Sequence, residues 1–392
     1  MSDNPLTGLV LVIVLGIAAQ WIAWRIKLPS ILLLLSFGIL AGPVLGWLKP
    51  DALLGDVLLP IVTIAVGLIL FEGGLSLKFS ELQQISRPLL GILTVGAAVT
   101  WGGTAVLAHT ILGFSWSMSI LAGAILIVSG PTVVGPILLQ VRPNKKVASI
   151  ARWEGIVIDP IGVILAVIVF EVIRAILTHE PLSGAAWALA KAIGVGIGLG
   201  MAGAALLVQL LRRYWVPDHL QNAFVVAFVT AVLFGANAIQ HEAGILAVTL
   251  MGIFVANQKA VSVRHIVEFK ENLRVLLIAG IFILLAARLE SDALTVFGGK
   301  APLFLAALIL VVRPLAVFLS TWGSDLKRNE KLFLSWLAPR GIVAAAMGSV
   351  LAIQLERAEH PEARLLVPII FWVIIGTVFV YGLTVDREIG RA

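Results

Sequence analysis

The chain has 392 residues, 60% of them hydrophobic and only 13% charged, with a mean hydropathy of +1.05. A soluble domain carries about a quarter of its residues as charges, so these proportions exclude one; the absence of cysteine excludes a disulfide framework, a thiol nucleophile and a cysteine metal site. The net charge of +6 is read as a membrane-topology signal before a nucleic-acid one.

Apolar runs of about 20 residues recur from end to end, the length a helix needs to cross hydrocarbon. They do not alternate as barrel strands do, so helices must satisfy the backbone in lipid. Thirteen spans are predicted, at about 6–24, 29–48, 53–77, 88–112, 116–140, 148–177, 184–211, 219–239, 242–257, 272–289, 301–320, 331–354 and 364–384. The first follows a short start without a basic n-region and is expected to be retained. Eighteen of the 28 lysines and arginines fall in the odd-numbered connections, from Arg25 and Lys27 to Arg387 and Arg391. Six, among them Lys49, Arg288 and Arg357, fall in the even-numbered ones. The positive-inside rule then predicts an outside N-terminus and a cytoplasmic C-terminus. Ala392 comes a few residues after the last span, so either the protein is a bare membrane domain or a cytosolic part is missing.

Several charges sit where lipid disfavours them. Glu72, Glu154 and Asp159 lie within apolar spans, and Arg313 and Arg340 lie deep in theirs. A charge near the bilayer centre costs several kcal/mol and usually faces a cavity or a partner. Each is therefore a functional candidate or half of a buried ion pair. Glu72, before Gly73 and Gly74 at the end of span 3, is either a second site acid or an interfacial acid. Span 5 is interrupted by Ser129-Gly130-Pro131-Thr132. Span 6 holds the densest cluster, from Glu154 to Asp159-Pro160. Pro160 frees the carbonyl of Ile156, and a carboxylate beside a freed carbonyl suits a hard alkali cation. The glycines of span 7, from Gly194 to Gly203, form a surface for close helix packing. Span 12 is interrupted by Ala338-Pro339-Arg340-Gly341. Breaks at matching places in two halves point to a transporter site.

Taken together, Phe71-Glu72-Gly73-Gly74, the broken Ser129-Gly130-Pro131, Glu154 ahead of Ile158-Asp159-Pro160, and Arg340-Gly341 resemble the cation:proton antiporter superfamily. The branch is that of bacterial sodium/proton antiporters related to the animal sodium/proton exchangers, and the resemblance covers essentially the whole chain. It implies an all-α polytopic fold with inverted repeats and crossed discontinuous helices. A core of about residues 88–177 and 301–384 would move against a dimerisation scaffold of about 6–77 and 184–289. It further implies that Asp159 is the shared cation and proton site, that Ser129 and Thr132 lend oxygens, and that Glu72 can complete the site. Glu154 and Arg340 would form a structural ion pair. A homodimer in the bacterial inner membrane, with sodium or potassium and protons as substrates and no cofactor, completes the expectation. Where such proteins read Asn-Asp this chain reads Ile158-Asp159, the usual span 5 acid is Gly130, and the hydroxyl that often follows the glutamate is Gly155. These losses leave potassium a candidate beside sodium.

With one obligatory acid, one monovalent cation exchanges for one proton without net charge movement. Two other classes remain: a cation channel, which would lack proton coupling, and an organic-anion carrier using Arg313 or Arg340. No paired catalytic residues for an intramembrane protease occur in the spans.

Overall fold

The computed structural model describes residues 5–26, 28–178, 183–261, 264–289 and 295–388, and these are helical throughout apart from short connections. In chain order the α-helices are α1 (Pro5–Ile26), α2 (Ser30–Ile39), α3 (Pro50–Leu54), α4 (Leu58–Leu75), α5 (Phe79–Gly91), α6 (Ala97–Leu107), α7 (Trp116–Leu126), α8 (Pro131–Val141) and α9 (Lys145–Thr178). After these come α10 (Ser183–Arg212), α11 (Gln221–Ile239), α12 (Ala243–Asn257), α13 (Arg264–Ala287), α14 (Lys300–Ala307), α15 (Arg313–Ser320), α16 (Arg328–Trp336), α17 (Ile342–Arg357) and α18 (Ala363–Glu388). Among the described residues, 8 helices are long and apolar enough to cross a membrane, and shorter apolar helices accompany them.

The apolar composition decides what faces out. Trp21, Trp187, Phe234 and Leu310 are all well exposed on the bundle's flanks. In water such a surface would drive aggregation; against lipid it is the expected exterior. Helices therefore associate through close backbone approach more than through apolar burial. A Cβ on Gly74 of α4 would meet the carbonyl of Thr249 on α12 at 2.6 Å, and one on Gly200 of α10 would meet that of Ala247 at 2.6 Å. Part of the span 7 glycine surface thus packs as expected, while Gly194 and Gly198 face open space. Phe71, Leu207, Val229 and Met251 knit α4, α10, α11 and α12 into one apolar cluster.

Four π-helical turns, Leu40–Val44, Ile92–Gly96, Ala108–Leu112 and Leu308–Val312, extend or join neighbouring α-helices. Each adds a residue to a turn and rotates the stretch of helix beyond it. Proline has a different effect at each place. Pro160 sits inside α9 without interrupting it. Pro131 occupies the first turn of α8, where its missing N–H costs nothing.

Candidate ion-binding site

Spans 5 and 12 are each two half-helices. α7 stops at Leu126 and α8 begins at Pro131; α16 stops at Trp336 and α17 begins at Ile342. The two extended stretches touch. The N–H of Gly130 donates to the carbonyl of Pro339 at 3.2 Å. A Cβ on Gly341 would lie 2.5 Å from the Cα of Gly130, so a side chain at 341 would force the two backbones apart. α9 seats against the same place, where a Cβ on Gly162 would overlap the side chain of Val128.

A helix that stops inside a bilayer leaves its last carbonyls without partners and exposes the negative end of its dipole. Here a buried guanidinium meets each such end. Arg340 Nη1 donates to the carbonyls of Ile127 at 2.9 Å and Val128 at 3.3 Å, just past α7. Arg313 donates from Nε to the carbonyl of Leu334 and from Nη2 to that of Leu337, both at 3.1 Å, at the end of α16. Arg313 also grips Glu154 of α9 through two parallel bonds, Nη1 to Oε1 at 2.5 Å and Nη2 to Oε2 at 2.9 Å. A fork-to-fork pair of this kind is the strongest form of charged hydrogen bond.

This geometry corrects the expected brace between Glu154 and Arg340. Glu154 pairs with Arg313 instead. The physical reason is that Arg340 points at the α7 carbonyls across the crossing, whereas Arg313 emerges from α15 beside the α16 terminus that α9 also contacts. The same geometry removes the binding charge from an organic-anion carrier. Both guanidiniums are buried and bound to protein oxygens, so neither faces open space as a ligand site.

Asp159 differs from all of these. It is 0% exposed, and neither carboxylate oxygen has a hydrogen-bond partner among the described residues. Arg340 is the charge that acts on it through space. Ser129 is buried in the α7–α8 break. Thr132 lies in the first turn of α8, and its side chain falls outside the described residues. Glu72 is not brought to Asp159 by any described contact. Its Oε1 lies 3.3 Å from Arg274 Nη1, in a crevice with Leu68 and Asn222. The neighbouring Gly73 is the one that faces α9, against Ile156.

Two residues of the crossing escaped the sequence reading. Thr377 of α18 accepts the backbone N–H of Arg340 at 3.2 Å and donates to the carbonyl of Ile374 at 3.1 Å. Tyr381, one turn further, is buried with its ring edge-on to Trp336. The signal for Thr377 was a hydroxyl in the interior of an apolar span.

Known proteins share this arrangement of chain. The family described as sodium/hydrogen exchanger, transmembrane, matches residues 9–387. Na(+)/H(+) antiporter 1 of Methanocaldococcus jannaschii is 26% identical over 376 residues, spanning 91% of this chain and 85% of that protein. The K(+)/H(+) antiporter NhaP of Alkalimonas amylolytica is 30% identical over 378 residues, spanning 95% of this chain. The chain covers 64% of the length of that relative and 62% of the K(+)/H(+) antiporter NhaP2 of Shewanella sp. strain ANA-3. The structure of the sodium proton antiporter MjNhaP1 from M. jannaschii at pH 8 superimposes with a TM-score of 0.85 at 22% identity, over 99% of both chains, which is a likeness of fold. The chain belongs to the transmembrane sodium/hydrogen exchanger family.

Proposed function

We propose that the protein is a secondary antiporter that exchanges one sodium or potassium ion for one proton at Asp159. The supporting observation is a fully buried carboxylate whose oxygens lack hydrogen-bond donors among the described residues. Such a group is too costly to carry as a bare anion through an occluded state. Either a proton or a cation neutralises it, and each expels the other. Coupling follows from that competition at one group. The exchange is electroneutral because Asp159 is the single obligatory acid, with Glu154 committed to Arg313.

Ser129, and Thr132 in the first turn of α8, would supply oxygen ligands, with backbone carbonyls of the breaks beside them. Thirteen passes would place the N-terminus outside and the C-terminus in the cytoplasm of a bacterial inner membrane. The half built from residues 88–177 and 301–384 would rock against the half built from 6–77 and 184–289, the second half also joining two copies in a homodimer. Names of relatives that specify Na(+)/H(+) and K(+)/H(+) exchange agree with this ion class.

The test is the purified chain in liposomes with an entrapped pH dye. An inward gradient of sodium or potassium should drive protons out of the vesicles, with lithium compared for ion choice, at a rate indifferent to a clamped membrane potential. Asp159→Asn should leave only the leak of empty vesicles; exchange at the parental rate in that variant would overturn the reading.

A further inference from the structure

One polar cavity shares no residue with the crossing. It measures about 290 Å³ and lies where the start of α5 faces the opening turns of α9. Lys145, Lys146 and Arg152 line it together with Ser80 and Ser149, and Glu81 is the one acid of the lining. The nearby acids are already engaged. Glu81 Oε2 accepts from Trp153 Nε1 at 3.3 Å, and its Oε1 lies 3.8 Å from Arg152 Nη1. Glu330 accepts from Asn144 Nδ2 at 2.7 Å and from the N–H of Lys327 at 2.8 Å. Among the described residues, neither Lys145 nor Lys146 has an acid within ion-pair distance.

This donor set suits a phosphate group. The lysines supply compact charges, the arginine a planar fork held only loosely at 3.8 Å, and the serines two hydroxyls. The positive dipole ends of α5 and α9 add to the same potential. An alkali cation is repelled by it. Apolar lining is confined to Ile85 and Ala148, which is too little to hold an acyl chain, so the part recognised is the anion itself.

The cavity also sits on a joint. The first turns of α5 connect the two proposed halves. The N–H of Phe79 donates to Asn257 Oδ1 of α12 at 2.7 Å. Its ring stands edge-on to Phe254 of α12 and stacks on Trp153 of α9, with centroids 6.3 and 6.5 Å apart. A phosphate held by Ser80 on one wall and by Lys145, Lys146 and Ser149 on the other would fasten this connector to the helix that carries Asp159.

We propose that this cavity binds a phosphate group, from a soluble phosphorylated compound or a lipid headgroup, and that the bound group clamps α5 to α9 and slows exchange. The slowing rests on the antiport reading; the binding does not. On the proposed topology the site faces the cytoplasm, where both sources occur.

The full chain in detergent is titrated with labelled orthophosphate and, separately, with labelled phosphatidic acid in mixed micelles, at matched ionic strength. The double variant Lys145→Gln with Lys146→Gln, and Ser149→Asp, are compared with it. At least one probe should bind the parent saturably. Both variants should unfold at the parental temperature yet bind that probe more weakly by about tenfold or more. Binding of orthophosphate identifies a soluble source, and binding of phosphatidic acid alone identifies a headgroup. A parent that binds neither probe, or folded variants that bind as the parent does, would overturn the site. In liposomes of equal buffering capacity, the bound probe should slow labelled sodium or potassium uptake driven by an outward proton gradient, in the parent and not in the variants. Binding without slowing would overturn the clamp. A parent chain that takes up neither cation would count against the antiport reading and not against the phosphate site.

Discussion

Two acids stand five residues apart on α9, and their surroundings are opposite. Glu154 is buried and gripped by both arms of Arg313, whose remaining donors close the end of α16. Asp159 is more deeply buried and accepts no bond from any described residue. Five residues turn a helix by about 140°, so one face of α9 meets the α15–α16 elbow and the other meets the crossing. Similar burial with unequal satisfaction is what the two proposed roles require: a completed pair for Glu154 as a brace, and an unsatisfied acid for Asp159 as the site of a mobile charge.

The contrast breaks most sharply at Asp159 itself. Asp159→Asn keeps the shape and removes the charge, so the variant should fold at parental yield and lose all cation-driven proton movement in liposomes. Glu154→Ala should do the reverse. It strands the Arg313 charge and should cost about 3–5 kcal/mol, read as lost folded yield and a lower unfolding temperature in detergent. Normal yield with altered ion affinity would instead move Glu154 into the ion site. The double variant Glu154→Leu with Arg313→Met removes both charges and should recover part of that loss. Recovery should be incomplete because the carbonyls of Leu334 and Leu337 lose their donors, at about 1–3 kcal/mol each.

Gly341→Ala probes the crossing without touching a charge. The added methyl meets the backbone of Gly130, and overpacking of this sort costs about 1–3 kcal/mol. Exchange should slow in the folded fraction, since the two breaks are wedged apart beside Asp159. The smallest effect is expected at Glu72→Gln. Its partner Arg274 is 40% exposed, and a pair this open contributes about 1 kcal/mol or less. A large rise in the cation concentration needed for half-maximal exchange would place Glu72 in the ion's shell after all.

Much of this was legible in the residues. The breaks announce themselves through Gly130-Pro131 and Pro339-Arg340-Gly341, because glycine and proline clustered at matching places in two spans mark interrupted helices. Asp159 stands out because an acid in lipid is rare. The partner of Glu154 was not legible. Arg313 and Arg340 are both deep in apolar spans, and the choice depends on which way each points. For Arg313 that direction is set after the π-helical turn Leu308–Val312, which a 3.6-residue period does not register. The choice between site acid and interfacial acid at Glu72 was equally hidden: neighbouring residues on a helix face ways about 100° apart, and it is Gly73 that looks toward α9.

The bond from Gly130 to Pro339, with two glycine backbones in contact, ties the half-helices of both breaks into a single block. If the halves rock as proposed, a site built on such a block would be cargo on a carriage, not a stop along a pipe. Its turnover would then answer to friction at the sliding surface and to the viscosity of the surrounding lipid, and stiffening the bilayer should slow exchange without changing which ion is chosen.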